Sequence, residues 1–260
     1  MNQYINSLQS EWIKTRRSTA SWLVIVGGFF IPLIMLSVRL IKNKNQPAIY
    51  QSGDFWIRNF LQNWQIMAFF LLPMGVILAT SLITQMEYRN NSWKQLHATP
   101  QYFSTIFFSK LTVIILMMLQ FFILFNIGIY LSAAIPAWLL SKVSQPTAIF
   151  PARFFLVANA KFFLDCLPVI AFQYLISLQF KNFLVPLGVG IALLVAATFG
   201  VQWEYGYTIP YTYCLFNFLQ ISSMKGTALP AVNFHWFAFG YFIITIAAGY
   251  IFYINKKDKC

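Results

Sequence analysis

The sequence predicts an all-α integral membrane protein with six transmembrane helices. It also predicts an N-terminal amphipathic helix, a short capped helix in the polar connection after span 2, and a re-entrant segment before the last span. Three observations carry this prediction. The 260 residues are 59% hydrophobic and only 9% charged, too apolar for a soluble chain of this length to coat itself in charge. The apolar residues gather into runs of the ~20 residues that cross a bilayer as a helix. The polar residues gather into short islands between those runs, as they must when backbone and charge are excluded from hydrocarbon.

The elements follow in order. In "MNQYINSLQSEWIKTRR", Tyr4, Ile5, Leu8 and Trp12 recur at helical spacing, with Gln3, Ser7, Ser10, Glu11 and Lys14 between them. This predicts a surface helix over residues 1–18, apolar on one stripe. Trp12, Lys14, Arg16, Arg17 and Trp22 are its interface anchors, since Trp and basic side chains favour headgroup depth. Such a helix serves as a plain anchor or also packs beside a partner. Span 1 runs from Trp22 to Leu40 with Gly27, Gly28 and Pro32 inside. It is long and ends at Arg39 and Lys42 without a small-x-small cleavage pattern, so it reads as a retained anchor. Span 2 runs from Ile66 to Ile83 around Pro73, span 3 from Leu111 to Ala134, and span 4 lies within Phe154 to Phe180. Span 5 runs from Phe183 to Val201 and span 6 from Trp236 to Tyr253. There is no internal repeat, so residues 1–260 form one membrane domain.

Three places hold chemistry. The connection over residues 84–109 contains "EYRNNSWKQLHATPQYFSTIFFSK". Ser92 and Gln95 fit a capping box, which places Trp93 and Leu96 on one face of a short helix. Thr99 and Pro100 then fit a second helix start. On periodicity alone an interfacial elbow is favoured over a docking element. In span 4, Lys161 and Asp165 are one turn apart, so a mutual neutralisation competes with a functional intramembrane acid; the neutralising pair is the expectation. Between spans 5 and 6, over residues 202–235, the apolar run Ile209 to Ile221 is too short to cross. It suits a re-entrant or interfacial helix. Tyr205, Tyr207, Tyr211 and Tyr213 there suit a headgroup belt.

The net charge of +12 sits beside hydrophobic runs, which points to anionic lipid and topology rather than nucleic acid. With both termini in the cytoplasm, ten cations fall inside and eight outside, Arg39 and Lys161 among the outer set. The expected orientation follows from that bias. Cys166, Cys214 and Cys260 are far apart in sequence, and the two histidines fall on opposite sides, so neither a disulfide nor a metal site is expected. No GxxxxGK[ST], HExxH or GxSxG occurs, so the chain is expected to bind no cofactor and to perform no catalysis itself.

Two stretches resemble a known family. "EWIKTRRSTASWL" resembles the start of ABC transporter permeases of the type-2 exporter class: an acid, basic residues, then a Trp entering span 1. "MEYRNNSWKQLHATP" resembles the loop after span 2 in that class, where an acid precedes a "TWKQLLSLP"-like run. The small permeases of lantibiotic-immunity and bacitracin-resistance exporters are the nearest likeness. The resemblance implies a cytoplasmic coupling helix between spans 2 and 3 that docks on a separate ATPase, which binds ATP and Mg. It implies two ATPase copies, a second permease copy or paralogue, and the bacterial cytoplasmic (inner) membrane. By position it implies coupling roles for Glu87, Arg89, Trp93, Lys94, Gln95, Leu96 and Pro100. His97, Ala98 and Thr99 depart from the usual pattern. The cargo implied is amphiphilic: a peptide, lipid or drug. A substrate-capture subunit of an uptake system and a non-transport assembly factor are the rival readings; a neighbouring ATPase that co-purifies separates them.

Overall fold

The structure, a computed structural model, describes residues 2–41, 46–89, 101–140, 143, 145–222 and 232–255. The described residues are helical throughout, with turns between. Helix α1 covers Asn2–Arg16 and α2 covers Thr19–Ile41. Short α3 (Gln46–Tyr50) precedes α4 (Phe55–Ile66), which continues through a π-helical turn, Met67–Leu71, into α5 (Leu72–Arg89). Then come α6 (Phe103–Leu139), α7 (Ala152–Gln179) and α8 (Leu184–Gly200). Two 3₁₀ turns, Gly206–Thr208 and Pro210–Thr212, lead into α9 (Tyr213–Ser222), and α10 (Phe234–Asn255) closes the described chain.

Five helical stretches are long and apolar enough to cross a membrane: Thr19–Ile41, Phe55–Met86, Phe103–Leu139, Ala152–Gln179 and Phe234–Asn255. The apolar helix Leu184–Gly200, expected as span 5, is shorter at 17 residues, about 26 Å at 1.5 Å per residue. The second stretch begins well before the Ile66 expected from hydropathy. Its first turns carry Arg58, Asn59 and Asn63, which read as loop, yet the structure buries Asn59 and Asn63. The third is also longer than expected, beginning at Phe103 rather than Leu111. At 37 residues it measures about 55 Å, well beyond a hydrocarbon core of ~30 Å.

Local sequence explains the irregular turns. Pro73 has no N–H to give to a carbonyl four residues back. The chain widens just before it, and the Leu72 N–H reaches the Met67 carbonyl in a five-residue loop. Gly206 allows the corner after α8: a Cβ there would lie 2.2 Å from the Gly200 carbonyl oxygen. Gly128 lets α6 pass α2, because a Cβ would meet Pro32 at 2.9 Å.

The core is aromatic at its centre. Trp64 is fully buried, stacked on Phe162 at 3.7 Å between centroids and edge-on to Phe125 at 5.1 Å. Helices α2 and α6, α7 and α10, and α5 and α7 make the most extensive contacts. At one end of the bundle a buried arginine joins three helices. Arg39 Nη1 donates to the Ser132 carbonyl (3.0 Å) and Nη2 to Asn59 Oδ1 (2.7 Å). Asn59 in turn donates to the Ile129 carbonyl at 3.2 Å, and the guanidinium lies 5.6 Å from the Phe55 ring centroid. Arg39, one of the outer cations in the sequence count, has its hydrogen-bonding needs met inside the protein, which makes burial tolerable.

The tyrosines before α10 also differ from expectation. Tyr205 is exposed, but Tyr211 and Tyr213 are buried. The short α9 presents Tyr213, Phe216, Asn217 and Phe218 to the interior, so these rings are core rather than headgroup belt. Cys166 and Cys214 are buried free thiols.

Replacing Trp64 with Ala removes the stack on Phe162 and leaves a cavity, at an expected cost of about 3–5 kcal/mol. The thermal midpoint of the purified protein in detergent should fall markedly. An unchanged midpoint would show that this ring is not central to the packing.

Candidate functional site: a clasp between the elbow helix and the third span

Helix α1 lies against the first turns of α6 and divides the apolar stripe read from its sequence: Tyr4 and Leu8 pack toward the bundle, while Ile5 and Trp12 face outward. Ser7, Glu11 and Thr15, four residues apart along one face, are the buried residues. Ile5, Trp12 and Ile13 face outward with the basic Arg16 and Arg17, and Trp22 at the start of α2 is also exposed. The polar stripe is inward because α6 offers polar partners at the right spacing. Tyr4 Oη meets Thr112 Oγ1 at 2.7 Å, and Ser7 Oγ meets Ser109 Oγ at 3.0 Å. Glu11 Oε2 faces Lys110 Nζ at 3.1 Å, and Lys14 Nζ donates to Glu11 Oε1 at 2.5 Å. The exposed apolar side chains and cations then suit a lipid interface.

The ion pair is the strongest single element of this contact. Glu11 is 3% and Lys110 2% exposed. Charges so far out of water are tolerated only when paired and bonded. Burial pushes the Glu11 carboxyl up, but the Lys110 charge and the Lys14 hydrogen bond outweigh it. The group therefore titrates below the usual carboxylate range. Sequence reading placed Lys14 at the interface as an anchor and gave Glu11 no role; the signal it missed is that Glu11 is the sole acid before Asp54.

The turn after the clasp is capped. Ser18 Oγ donates to the Thr15 carbonyl at 2.7 Å and accepts from the Ser21 N–H at 3.4 Å, so Ser18 ends α1 and starts α2.

Both shoulders of the 90–100 connection are held by buried polar contacts. On the incoming side, Gln85 of α5 donates to the carbonyls of Phe180 (2.6 Å) and Ser177 (3.2 Å). One turn earlier, Ser81 accepts from Gln173 at 2.8 Å, and the same amide nitrogen donates to the Pro186 carbonyl. On the outgoing side, Tyr174 Oη donates to the Phe107 carbonyl at 2.9 Å, within a cluster of Phe107, Tyr250 and Tyr253. The sequence-expected coupling residues fall between these shoulders. Glu87 and Arg89 belong to the last turn of α5 by backbone; Trp93, Lys94, Gln95, Leu96 and Pro100 lie outside the described residues.

The intramembrane acid has a different partner from the one expected. Asp165 is fully buried, and its Oδ1 lies 2.7 Å from His235 Nδ1 at the start of α10. Lys161, expected to neutralise it one turn away, forms no ion pair with it among the described residues. The pair fastens α7 to α10 from residues 70 apart in sequence, a distance that helical spacing cannot reveal. Among the described residues no group of three His, Cys, Asp or Glu side chains could hold a metal ion.

An all-helical bundle with several apolar spans and its polar contacts folded inward is a multi-pass membrane protein. Residues 7–198 of the 260 match the family described as ABC-2 family transporter protein, and the chain belongs to that family. It is thus a membrane component of an ABC transporter, a system that includes an ATPase partner. No curated protein and no solved structure is similar enough to count as a match.

Two outcomes check the site. Because the folded Glu11 carboxyl is depressed, its stabilising contribution is present above the unfolded value and lost as pH falls through the folded one. The gap in thermal midpoint between wild type and Glu11→Gln should therefore be full at pH 7 and close only below the ordinary carboxylate range. A gap that does not vary with pH would contradict the ion pair. Separately, Asp165→Ala should destabilise far more than Lys161→Gln, by several kcal/mol as for a broken buried pair; equal losses would restore Lys161 as the partner.

Proposed function

We propose that this chain is the permease subunit of an ATP-driven exporter that moves an amphiphilic peptide, lipid or drug, as in the antimicrobial-resistance exporters it resembles. The chain itself is not an enzyme and binds no cofactor; ATP and Mg are held by a separate pair of ATPase subunits. It pairs with a second copy or a paralogue in the bacterial inner membrane, both termini in the cytoplasm. The 17-residue α8 is its fifth span, which brings the total to six, and α9 with the preceding turns is a re-entrant element on the outer side.

The observation that carries this reading is the clamping of both shoulders of the 90–100 connection. A segment that receives force from a partner needs rigid leads into the bundle, since packed cores transmit displacement rather than absorb it. Gln85 and Ser81 supply one lead. The rod-like α6, tied to α1 through Glu11 and Lys110, supplies the other. Trp93 and Leu96 act as docking anchors, with Arg89 and Lys94 steering toward acidic partner residues. Glu87, Gln95 and Pro100 shape the docking helix.

Reconstitution with the cognate ATPase tests the proposal. Trp93→Ala should weaken ATPase association by roughly tenfold or more, as a lost hot-spot aromatic does. Glu11→Gln should leave association near wild type while lowering substrate-stimulated ATP turnover, and the exchange Glu11→Lys with Lys110→Glu should restore part of it. Normal association of Trp93→Ala would remove the docking role. Single cysteines at Lys94 and Gln51 should label from opposite sides of the membrane; labelling from one side would overturn the topology.

A further inference from the structure

Among the acids with described side chains, Glu11 is engaged by Lys14 and Lys110, Asp54 by Arg58 and Asp165 by His235; Glu204 is exposed on the turn after α8. At the end of the bundle away from the elbow, two cations of α7 are left without a carboxylate at ion-pair distance among the described residues: Arg153 and Lys161. Both line one pocket of about 590 Å³ between α7 and the end of α9. Arg153, Val157 and Lys161 are spaced four apart and share a helix face; the two cations are about 12 Å apart along the axis, a span that two long side chains can close from opposite ends. The other walls are Phe154, Ala158 and Ile221. Next to the pocket, Leu156 and Val157 are exposed at 72% and 50%, in a helix that crosses the membrane, so the apolar rim continues onto a lipid-facing surface.

We propose that this pocket binds a membrane lipid with an anionic phosphodiester headgroup. The phosphate lies between the Arg153 guanidinium and the Lys161 ammonium, and the acyl chains run along Val157 and Leu156. Charge selects the anion: Arg presents a fork matched to phosphate oxygens, and Lys adds a second full charge. Apolar walls select an amphiphile over a soluble anion, because only a lipid brings its own hydrocarbon to cover them. The volume suits a headgroup and its glycerol, within the range of small-molecule pockets, and is too small for a folded peptide. Basic recesses between membrane helices are physically suited to such headgroups. Lys161 also lies one turn from the Asp165–His235 contact, so a lipid seated here abuts the fastening between α7 and α10.

The test uses purified full-length protein in a neutral detergent, titrated with dihexanoyl phosphatidylglycerol, dihexanoyl phosphatidylcholine or glycerol 1-phosphate. Bound adducts are counted by native mass spectrometry and the thermal midpoint is followed. Phosphatidylglycerol should bind and raise the midpoint, whereas phosphatidylcholine and glycerol 1-phosphate should do neither at equal concentration. Arg153→Gln with Lys161→Gln should weaken phosphatidylglycerol binding by roughly tenfold or more, and Arg153→Lys with Lys161→Arg should retain it. Both pairs alter side chains that are exposed or half-buried, so the apo midpoint reports whether folding is intact. Equal binding of phosphatidylcholine, undiminished binding by the Gln pair, or full stabilisation by glycerol 1-phosphate would each overturn the proposal. The Trp93→Ala variant should bind the lipid as wild type does, which keeps this result separate from that of ATPase docking.

Discussion

A carboxylate and an ammonium, both nearly sealed from water, meet where the first helix crosses the third span. This contact constrains the elbow end of the fold. A buried charge cannot be left alone without a cost of several kcal/mol, so Glu11 and Lys110 must be brought together wherever else the chain goes. Satisfying them turns the polar stripe of α1 inward and its tryptophan and isoleucine outward. It also fixes the height at which α6 begins, because Ser109 and Thr112 must reach Ser7 and Tyr4 at the same time. Neutral hydrogen bonds alone would be worth about 1 kcal/mol each; the ion pair is what makes register costly to change.

Apart from the Asp165–His235 and Asn126–Asn159 contacts, the main groups of remaining polar contacts lie toward the two ends of the bundle. Gln85, Ser81, Gln173 and Tyr174 tie α5, α6, α7 and α8 near the elbow. Arg39, Asn59 and Tyr50 tie α2, α3, α4 and α6 at the other end. Between them lies an apolar and aromatic middle centred on Trp64. Interhelical association in a bilayer gains little from hydrophobicity and relies on packing and on such bonds. A bundle rigid at both ends and smooth in the middle moves more readily by the rotation of whole helices than by local unfolding. That is the kind of motion a partner ATPase can drive.

Much of this architecture is legible in the sequence, and the exceptions have two causes. Apolar runs located the five long stretches and the shorter α8, and the helical spacing of the first residues marked α1 as a helix. Burial periodicity, however, assumes that apolar residues face protein. In a membrane the solvent is apolar, so polar residues can be the buried ones: Ser7 and Glu11 point in, while Trp12 points out. The same effect hid Asn59 and Asn63, whose polarity made the start of the second stretch look like loop. Asp165 failed differently. Its partner His235 is 70 residues away, and helical spacing can propose only near neighbours, so Lys161 was the natural candidate. The caps and the family likeness that mark the 90–100 segment do not depend on long-range contacts, but that segment lies outside the described residues.

The clasp also orders the birth of the molecule. Ser7 and Ser109 are 102 residues apart, so the elbow leaves the ribosome long before the third span exists. During that interval Glu11 has no Lys110 to meet, and its charge is kept in water or at the headgroups with Lys14 beside it. Only when the third span has entered the bilayer can the polar stripe turn inward. The first helix is therefore a latch that closes late in biogenesis, and a chain whose third span inserts out of register has a hydrated, unlocked elbow to betray it.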